Sequence, residues 1–308
     1  MNTKIEKNRL EESIIYKSKS VSPWTLVFRR LRKNKLAMVG FGILIFMILF
    51  SLIGPFFTQY GPDEMNFAMK KQGPSVYYLL GTDLLGRDIL TRLMYAGRVS
   101  LAVGIVAVVV EVVIGGAVGA IAGFYGGFID SFLMRIVDIF LCVPFLPILI
   151  IIGAIMSDYN IGANTRIMYL MFIIGALSWP SIARLVRGQI LSLREQEFMQ
   201  AAEALGLTDS KKIFKHLLPN VIPQIIVSCT LSIGGAIMTE SALSYLGMGV
   251  TPPQASWGNM IQAVSNFIDL MTRPWLWVPP GICIFLTVMS INLLGDGLRD
   301  ALDPKLKK

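Results

Sequence analysis

Six apolar segments, each long enough to cross a bilayer as a helix, constrain this chain more than any other feature of its sequence. They contain 22, 23, 18, 17, 18 and 20 residues, and roughly 17–25 helical residues span a bilayer core. None alternates apolar with polar residues, as membrane-spanning strands do. We therefore predict an all-α integral membrane protein with six transmembrane helices. The predicted spans are Leu36–Phe57, Leu101–Gly123, Ile139–Met156, Ile167–Ala183, Val221–Met238 and Trp275–Leu294.

The composition excludes a soluble globule, because 54% of the residues are hydrophobic and only 16% are charged, whereas soluble domains average about 25% charged. Two spans carry local features. Ser178-Trp179-Pro180-Ser181 interrupts the apolar run of the fourth span. In the second span, Gly115, Gly119 and Gly123 recur at four-residue spacing, a pattern that predicts close packing against another helix.

The distribution of basic residues predicts how the chain is oriented. Of the 28 Lys and Arg residues, ten precede Leu36, six lie between the fourth and fifth spans, and four follow Leu294. Since cytoplasmic segments carry an excess of Lys and Arg, both termini and the fourth connection are predicted to be cytoplasmic. Orientation accounts for the net charge of +8, so we do not expect a nucleic-acid partner. We expect membrane lipid to surround the spans.

The connection between the first two spans is therefore predicted to be external. Its second half leads into the second span through an amphipathic helix with Ile89 and Leu93 on one face and an i,i+4 pair of Asp88 and Arg92. Two interpretations remain open here. The helix either anchors the span at the interface, or it belongs to an external lid or docking surface.

The connection at 184–220 is long and rich in helix formers. Gly206 is a predicted C-cap, Thr208 or Asp209 can cap a second helix, and Pro219 is expected to end it. The product is a helix–turn–helix at the membrane surface. Small side chains at Ala201, Ala202 and Ala204 leave part of this helix surface without bulky groups. The backbone of another protein can therefore approach this surface closely.

Part of this segment resembles the "EAA" motif of ABC-importer permeases. The matching residues are Gln200, Ala201, Ala202, Gly206, Leu218 and Pro219. Gln200 stands where the family usually has Glu, and Glu197 and Glu203 lie nearby. The resemblance implies that these eight residues form a surface that docks an ATPase subunit.

Three further segments resemble one branch of that family, the oligopeptide/dipeptide-type (and nickel-type) permeases, in the C-type subunit of the pair. The stretch at 80–88 looks like their LGTDxxGRD signature, with Gly81, Thr82, Asp83, Gly86, Arg87 and Asp88 at the defined positions. Residues 244–258 and 292–300 are similar to their last external loop and their C-terminal ending.

The resemblance implies a type I ABC-importer permease in a bacterial cytoplasmic (inner) membrane. Its implied partners are a second homologous permease subunit, two cytoplasmic ABC ATPase subunits and an extracytoplasmic substrate-binding protein. ATP and Mg would be used by the ATPases, while this chain would bind no cofactor. Short peptides are the implied substrates, and a nickel chelate is the alternative.

We expect the following organisation from these patterns. It comprises a cytoplasmic basic tail at 1–35, the first span at 36–57, an external loop with an amphipathic helix at 58–98, a permease core at 99–296 that contains the coupling loop at 184–220, and a cytoplasmic tail at 297–308.

Catalytic and metal sites are not expected. The sequence contains no Gly-Lys-Ser or Gly-Lys-Thr, so no P-loop is predicted, and His216 is its single histidine. A membrane enzyme is therefore disfavoured. Ionisable residues within or near spans are candidates for a pathway role, namely Glu111, Asp138 and Glu240. A proton-coupled carrier using Glu111 and Glu240 is the rival, although the spans show no clear inverted repeat.

Overall fold

The computed structural model describes residues 23–302, and all regular structure in that range is helical apart from one isolated bridge between Thr82 and Asp88. The helices are α1 (Pro23–Lys33), α2 (Lys35–Leu52), α3 (Ile89–Tyr125), α4 (Gly127–Cys142), α5 (Phe145–Asp158), α6 (Ala163–Arg194), α7 (Glu197–Ala204), α8 (Asp209–Tyr245), α9 (Trp257–Ile261), α10 (Phe267–Thr272) and α11 (Val278–Leu302). Outside the described residues lie the predicted tail residues Lys4, Lys7, Arg9, Lys17 and Lys19 and residues 303–308.

The helices α3 and α6 run parallel and in close contact, because glycines remove side chains between them. A methyl group placed on Gly115, Gly119 or Gly123 would lie 2.6, 2.4 or 3.0 Å from the nearest carbonyl oxygen of α6. The contacted residues advance in step, from Trp179 to Ala183 to Arg187. The predicted packing role of the three glycines is confirmed.

This parallel pairing determines the number of crossings. Since α3 and α6 point the same way, the chain between them must return through the full thickness of the bundle, and α4 and α5 are the helices that do so. Five other helices, α2, α3, α6, α8 and α11, are long and apolar enough to cross a membrane. The described chain therefore crosses six times, as predicted.

The third crossing is not the single helix that we predicted over Ile139–Met156. The helices α4 and α5 meet at 75°, and the break falls at Val143, which has an extended backbone (φ −77°, ψ 128°). Pro144 explains this break, because a proline ring disfavours helical backbone in the residue before it.

Two other prolines do not interrupt a helix. The fourth span continues through Pro180 as part of α6, so the interruption of the apolar run at Ser178–Ser181 does not break the helix. Ser178 Oγ donates to Ile174 O at 2.8 Å in the turn before the proline. Because α6 extends to Arg194, the first part of the 184–220 connection belongs to the span.

Pro219 does not end the second helix of that connection, as we had expected. It lies within α8, which continues to Tyr245. A π-helical turn at Lys212–Leu217 directly precedes the proline. Such a turn widens the backbone where the proline ring would otherwise meet a carbonyl one turn earlier.

Two further pairs of long helices pack antiparallel, α2 with α11 and α3 with α8. Gly40 of α2 lies against Ser290 of α11, and Gly104 of α3 lies against Ile237 of α8. Near the two described ends of the chain, Arg30 Nη1 donates to Ala301 O at 3.4 Å. Both described ends therefore lie on one side of the bundle.

Candidate functional site

The coupling segment, residues 195–217, lies at the end of the bundle where α3 turns into α4. Its helix α7 presents most of its surface to solvent. Exposed positions include Glu197, Gln200, Ala201, Glu203 and Ala204, and Leu205 directly after the helix is 78% exposed. This surface combines small side chains with acidic ones, as the sequence predicts.

The inner face of α7 is anchored in the bundle. Met199 and Ala202 are each only 3% exposed, and Met199 belongs to an apolar cluster with Ile190, Leu217 and Val221. Ala202 therefore faces inwards, and the small-residue surface that we predicted from three alanines consists of Ala201 and Ala204 alone.

Gly206 ends α7 with the geometry that the sequence predicts. Its φ of +66° is left-handed. Leu207 N donates to Ala202 O at 3.1 Å and Gly206 N donates to Glu203 O at 2.9 Å, the two bonds of a Schellman motif. Nothing lies within 4 Å of a methyl group placed on Gly206, so the turn is open to an approaching partner.

Lys212 connects the coupling segment to the bundle. Its Nζ lies 3.0 Å from Asp209, 3.8 Å from Glu203 and 5.6 Å from the centre of the Phe124 ring. The last contact reaches the final turn of α3. At the other boundary, Leu218 is half-buried, whereas Pro219 is exposed.

Ionic contacts link α6, which leads into α7, to the first half of the broken crossing. Arg187 makes two bonds of 2.6 Å to the carboxylate of Asp130, and Arg184 Nη2 lies 2.5 Å from Asp138. The predicted intramembrane candidate Asp138 is thus an exposed ion-pair partner of Arg184, with its side chain 48% exposed.

The signature loop, residues 58–88, lies at the opposite end and is held rigidly. Gly81 and Gly86 have positive φ values of 81° and 78°, and a methyl group on Gly86 would lie 1.8 Å from Asn66 O. The buried Thr82 donates to Met69 O and accepts from Gln72 N. Asp88 caps α3 by accepting from Thr91 N at 2.8 Å.

Two buried arginines hold this loop, Arg87 from within it and Arg92 from the first turn of α3. Arg87 Nε lies 2.7 Å from Asp83 Oδ2, and Arg92 Nη1 lies 3.0 Å from Asp63 Oδ1 and 2.9 Å from Pro62 O. The expected pairing of Asp88 with Arg92 is wrong, because Asp88 is used as the helix cap. The first turns of α3 are buried on more than one face, with Arg92 3% exposed, so they pack within the protein.

Glu240 is buried near the same end, although its position near a span end had suggested that it could be solvated. It is 1% exposed. Ser244 and Ser100 donate to its two carboxylate oxygens at 2.6 and 3.2 Å. The same hydroxyls accept from Val250 N and Trp257 N, so Glu240 holds the following loop in place.

Glu111 lies in the middle of the bundle, beside a cavity of about 390 Å³. It is 4% exposed, and Ser232 Oγ donates to its Oε1 at 3.2 Å. The other polar residues that line the cavity are Ser178, Ser181 and Thr239. The bend at Val143 forms part of the wall. Glu111 and Glu240 therefore occupy separate environments.

A row of polar and small residues along α8 marks this cavity in the sequence. On α8, the residues Gln224, Ser228, Ser232, Gly235 and Thr239 recur every three or four positions within an apolar run. That spacing puts them on one helix face, and polar residues inside spans usually face a cavity or the bundle interior.

Comparisons with known proteins give two family matches. Residues 115–308 match the binding-protein-dependent transport system inner membrane component family, and residues 22–74 match the N-terminal transmembrane domain of oligopeptide transport permease C.

Individual relatives are similar over almost the whole chain. The dipeptide transport system permease protein DppC of Alkalihalophilus pseudofirmus is 42% identical over 94% of this chain and 92% of its own length. The oligopeptide transport system permease protein OppC of Bacillus subtilis is 43% identical over the same shares. The glutathione transport system permease protein GsiD of Salmonella typhimurium is 39% identical over 93% of this chain and 92% of its own length.

Proposed function

The chain belongs to the family of binding-protein-dependent transport system inner membrane components, and from this membership we propose that it forms half of the pathway of an ATP-driven importer of short peptides. It is a multi-pass inner-membrane permease subunit. The names of its relatives refer to dipeptides, oligopeptides and glutathione. Because glutathione is itself a tripeptide, these names support short peptides as the substrate class.

The partners in this proposal are a second, homologous permease, two ATPase subunits on the cytoplasmic side, and a binding protein on the other side. The ATPases use ATP and Mg, and this chain contributes transport without catalysis. The observation that carries the proposal is α7, a helix whose outer face is exposed while its inner face is anchored in the bundle.

That arrangement can transmit motion. An ATPase groove that binds Gln200 and Ala201 would move α7 as a unit, since Met199 and Ala202 are buried beneath it. Lys212 then connects the movement to Phe124 at the end of α3, and the Arg187–Asp130 pair connects α6 to α4, the first half of the bent crossing. ATP binding thereby favours one of two states of the pathway through differential affinity for those states.

Uptake measurements in a strain that lacks this permease test the proposal. Restoring the complete transporter should restore uptake of labelled trialanine, and an ATPase subunit with an inactivated nucleotide site should abolish it. Labelled nickel chelate serves as the competing substrate. If the transporter takes up the nickel chelate and not trialanine, its substrate is a nickel chelate rather than a peptide. Peptide uptake that persists without the ATPases would favour the proton-coupled carrier.

A further inference from the structure

Glu111 is a buried carboxylate with a single side-chain hydrogen-bond donor in the described residues. Only the Ser232 hydroxyl donates to the carboxylate, at 3.2 Å. No Lys or Arg among residues 23–302 lies within ion-pair distance of it. By contrast, Glu240 receives hydroxyl donors on both carboxylate oxygens.

The surroundings of Glu111 are those of a small-molecule site. The cavity beside it holds about 390 Å³, within the range of roughly 300–1,000 Å³ that is usual for ligand pockets. Apolar walls from Phe140, Leu141 and Ile174 surround a few hydroxyl groups. Gly235 borders the cavity, and nothing lies within 4 Å of a methyl group placed on it, so the cavity stays open on that side.

We propose that Glu111 and the hydroxyl groups around it form a transient binding site for a protonated primary amine, the N-terminal ammonium of a peptide in transit. An ammonium group has three N–H donors and no acceptor. The Glu111 carboxylate and the hydroxyl oxygens of Ser178, Ser181, Ser232 and Thr239 offer the acceptors. This inference rests on the proposed function and adds a substrate-recognition step inside the membrane.

A bare divalent metal suits this site less well. Hard divalent ions require about six or more oxygen ligands, usually from several carboxylates, carbonyls or waters. No group of three His, Cys, Asp or Glu within residues 23–302 is placed to hold a metal ion, and Glu111 is the only carboxylate that lines the cavity.

The polar face of α8 connects this site to the coupling end. Gln224 and Gly235 on that face are exposed, and Ser228, Ser232 and Thr239 are half-buried. An ammonium released from Glu111 would therefore meet further hydroxyl and amide oxygens along the same helix. Glu111, whose one hydrogen-bond donor is the neutral Ser232, can bind the ammonium group. Because no further charged groups hold the ammonium there, it can also be released.

Charged thiol reagents test the charge preference of the cavity without using a peptide. The complete transporter is prepared with Cys142→Ala, Cys229→Ala, Cys283→Ala and Ser181→Cys. We expect the cysteine at position 181 to react faster with 2-aminoethyl methanethiosulfonate, a cation, than with the anionic 2-sulfonatoethyl reagent. The preference, corrected for the reactivity of each reagent in solution, should be on the order of tenfold, the effect of about 1.4 kcal/mol.

Adding Glu111→Gln should abolish that preference, and the matched change Glu240→Gln should leave it intact, because Glu240 lies outside the cavity. In the transporter with its native residue at 181, Glu111→Gln should lower uptake of trialanine on the order of tenfold, as loss of one charge-assisted hydrogen bond predicts. Trialanine should protect the cysteine from labelling during transport, whereas N-acetyl-trialanine should not.

The outcomes separate the two proposals. A charge preference that survives Glu111→Gln, in an assembled transporter that imports trialanine, overturns the amine site and leaves the peptide importer standing. If the preference for the cationic reagent depends on Glu111 but the transporter imports no trialanine, the peptide assignment is refuted. Glu111 then still forms a cation site.

Discussion

The signature loop and the coupling segment each depend on a glycine with the same backbone conformation, but in opposite surroundings. Gly86 has φ of +78° and Gly206 has φ of +66°. A methyl group on Gly86 would collide with Asn66 O at 1.8 Å, whereas one on Gly206 would meet nothing within 4 Å. One region is enclosed by its own chain, and the other is left open.

The same contrast extends to the charged side chains. At the signature loop, the buried Arg87 pairs with Asp83, and the buried Arg92 of α3 binds Asp63 and Pro62 O. On α7, Glu197 and Gln200 are exposed. Short family motifs can therefore mark two different things, namely residues that maintain a fold and residues that present a surface.

The largest effect should follow Gly86→Ala. Alanine in a left-handed conformation costs about 1–2 kcal/mol, and relieving the contact with Asn66 requires the loop backbone to move. We expect the free energy of unfolding to fall by more than about 3 kcal/mol. Thermal unfolding of the purified transporter measures this. Gly61→Ala is the control, since a methyl group there lies 3.7 Å from its nearest neighbour.

A tryptophan at two adjacent alanines should separate packing from docking. Ala202→Trp overfills the buried face of α7 and should destabilise the protein by about 1–3 kcal/mol. Ala201→Trp lies on the exposed face and should change stability by less than about 0.5 kcal/mol, while it abolishes co-purification of the ATPase. Equal ATPase recovery from Ala201→Trp and the wild type would contradict the docking surface.

A smaller effect is expected at the start of α3. Asp88→Ala removes the acceptor for Thr91 N and should lower the free energy of unfolding by about 1–2 kcal/mol. Asp88→Asn keeps a side-chain oxygen that can accept the same bond and should recover most of the loss. If the two variants unfold at the same temperature, the capping bond is not what Asp88 contributes.

The smallest effect should follow Gly206→Ala. Because the turn is open, only the backbone conformation is strained, and we expect a loss of about 1 kcal/mol, the lower end of the cost of a left-handed alanine. Gly206→Asn should cost less, since asparagine tolerates the left-handed region. The thermal midpoints of both variants should remain far above that of Gly86→Ala, and a comparable drop would remove the contrast between the two regions.

Local patterns predicted much of this protein. Apolar length identified the crossings, four-residue glycine spacing identified the α3–α6 contact, and the position of Gly206 identified the end of α7. In each case the physical cause acts within a few residues, or sums over a single helix.

The effect of a proline on a helix could not be predicted from the residue type alone. Pro144 breaks a crossing, while α6 and α8 continue through Pro180 and Pro219. The residue type is the same in all three. The backbone before each proline differs: Val143 is extended before Pro144, α-helical residues precede Pro180, and a π-helical turn precedes Pro219.

The sequence by itself determined the membrane class, the six crossings, the family and the approximate position of the coupling segment. Tertiary structure alone decided that Arg92 pairs with Asp63 rather than Asp88, that Ala202 faces inwards, and that Glu111 borders a cavity while Glu240 is enclosed. The physical reason is the range of the interactions. Transfer of apolar residues into a bilayer adds up along a segment, whereas partners for a buried charge come from whichever distant residues the packing brings within reach.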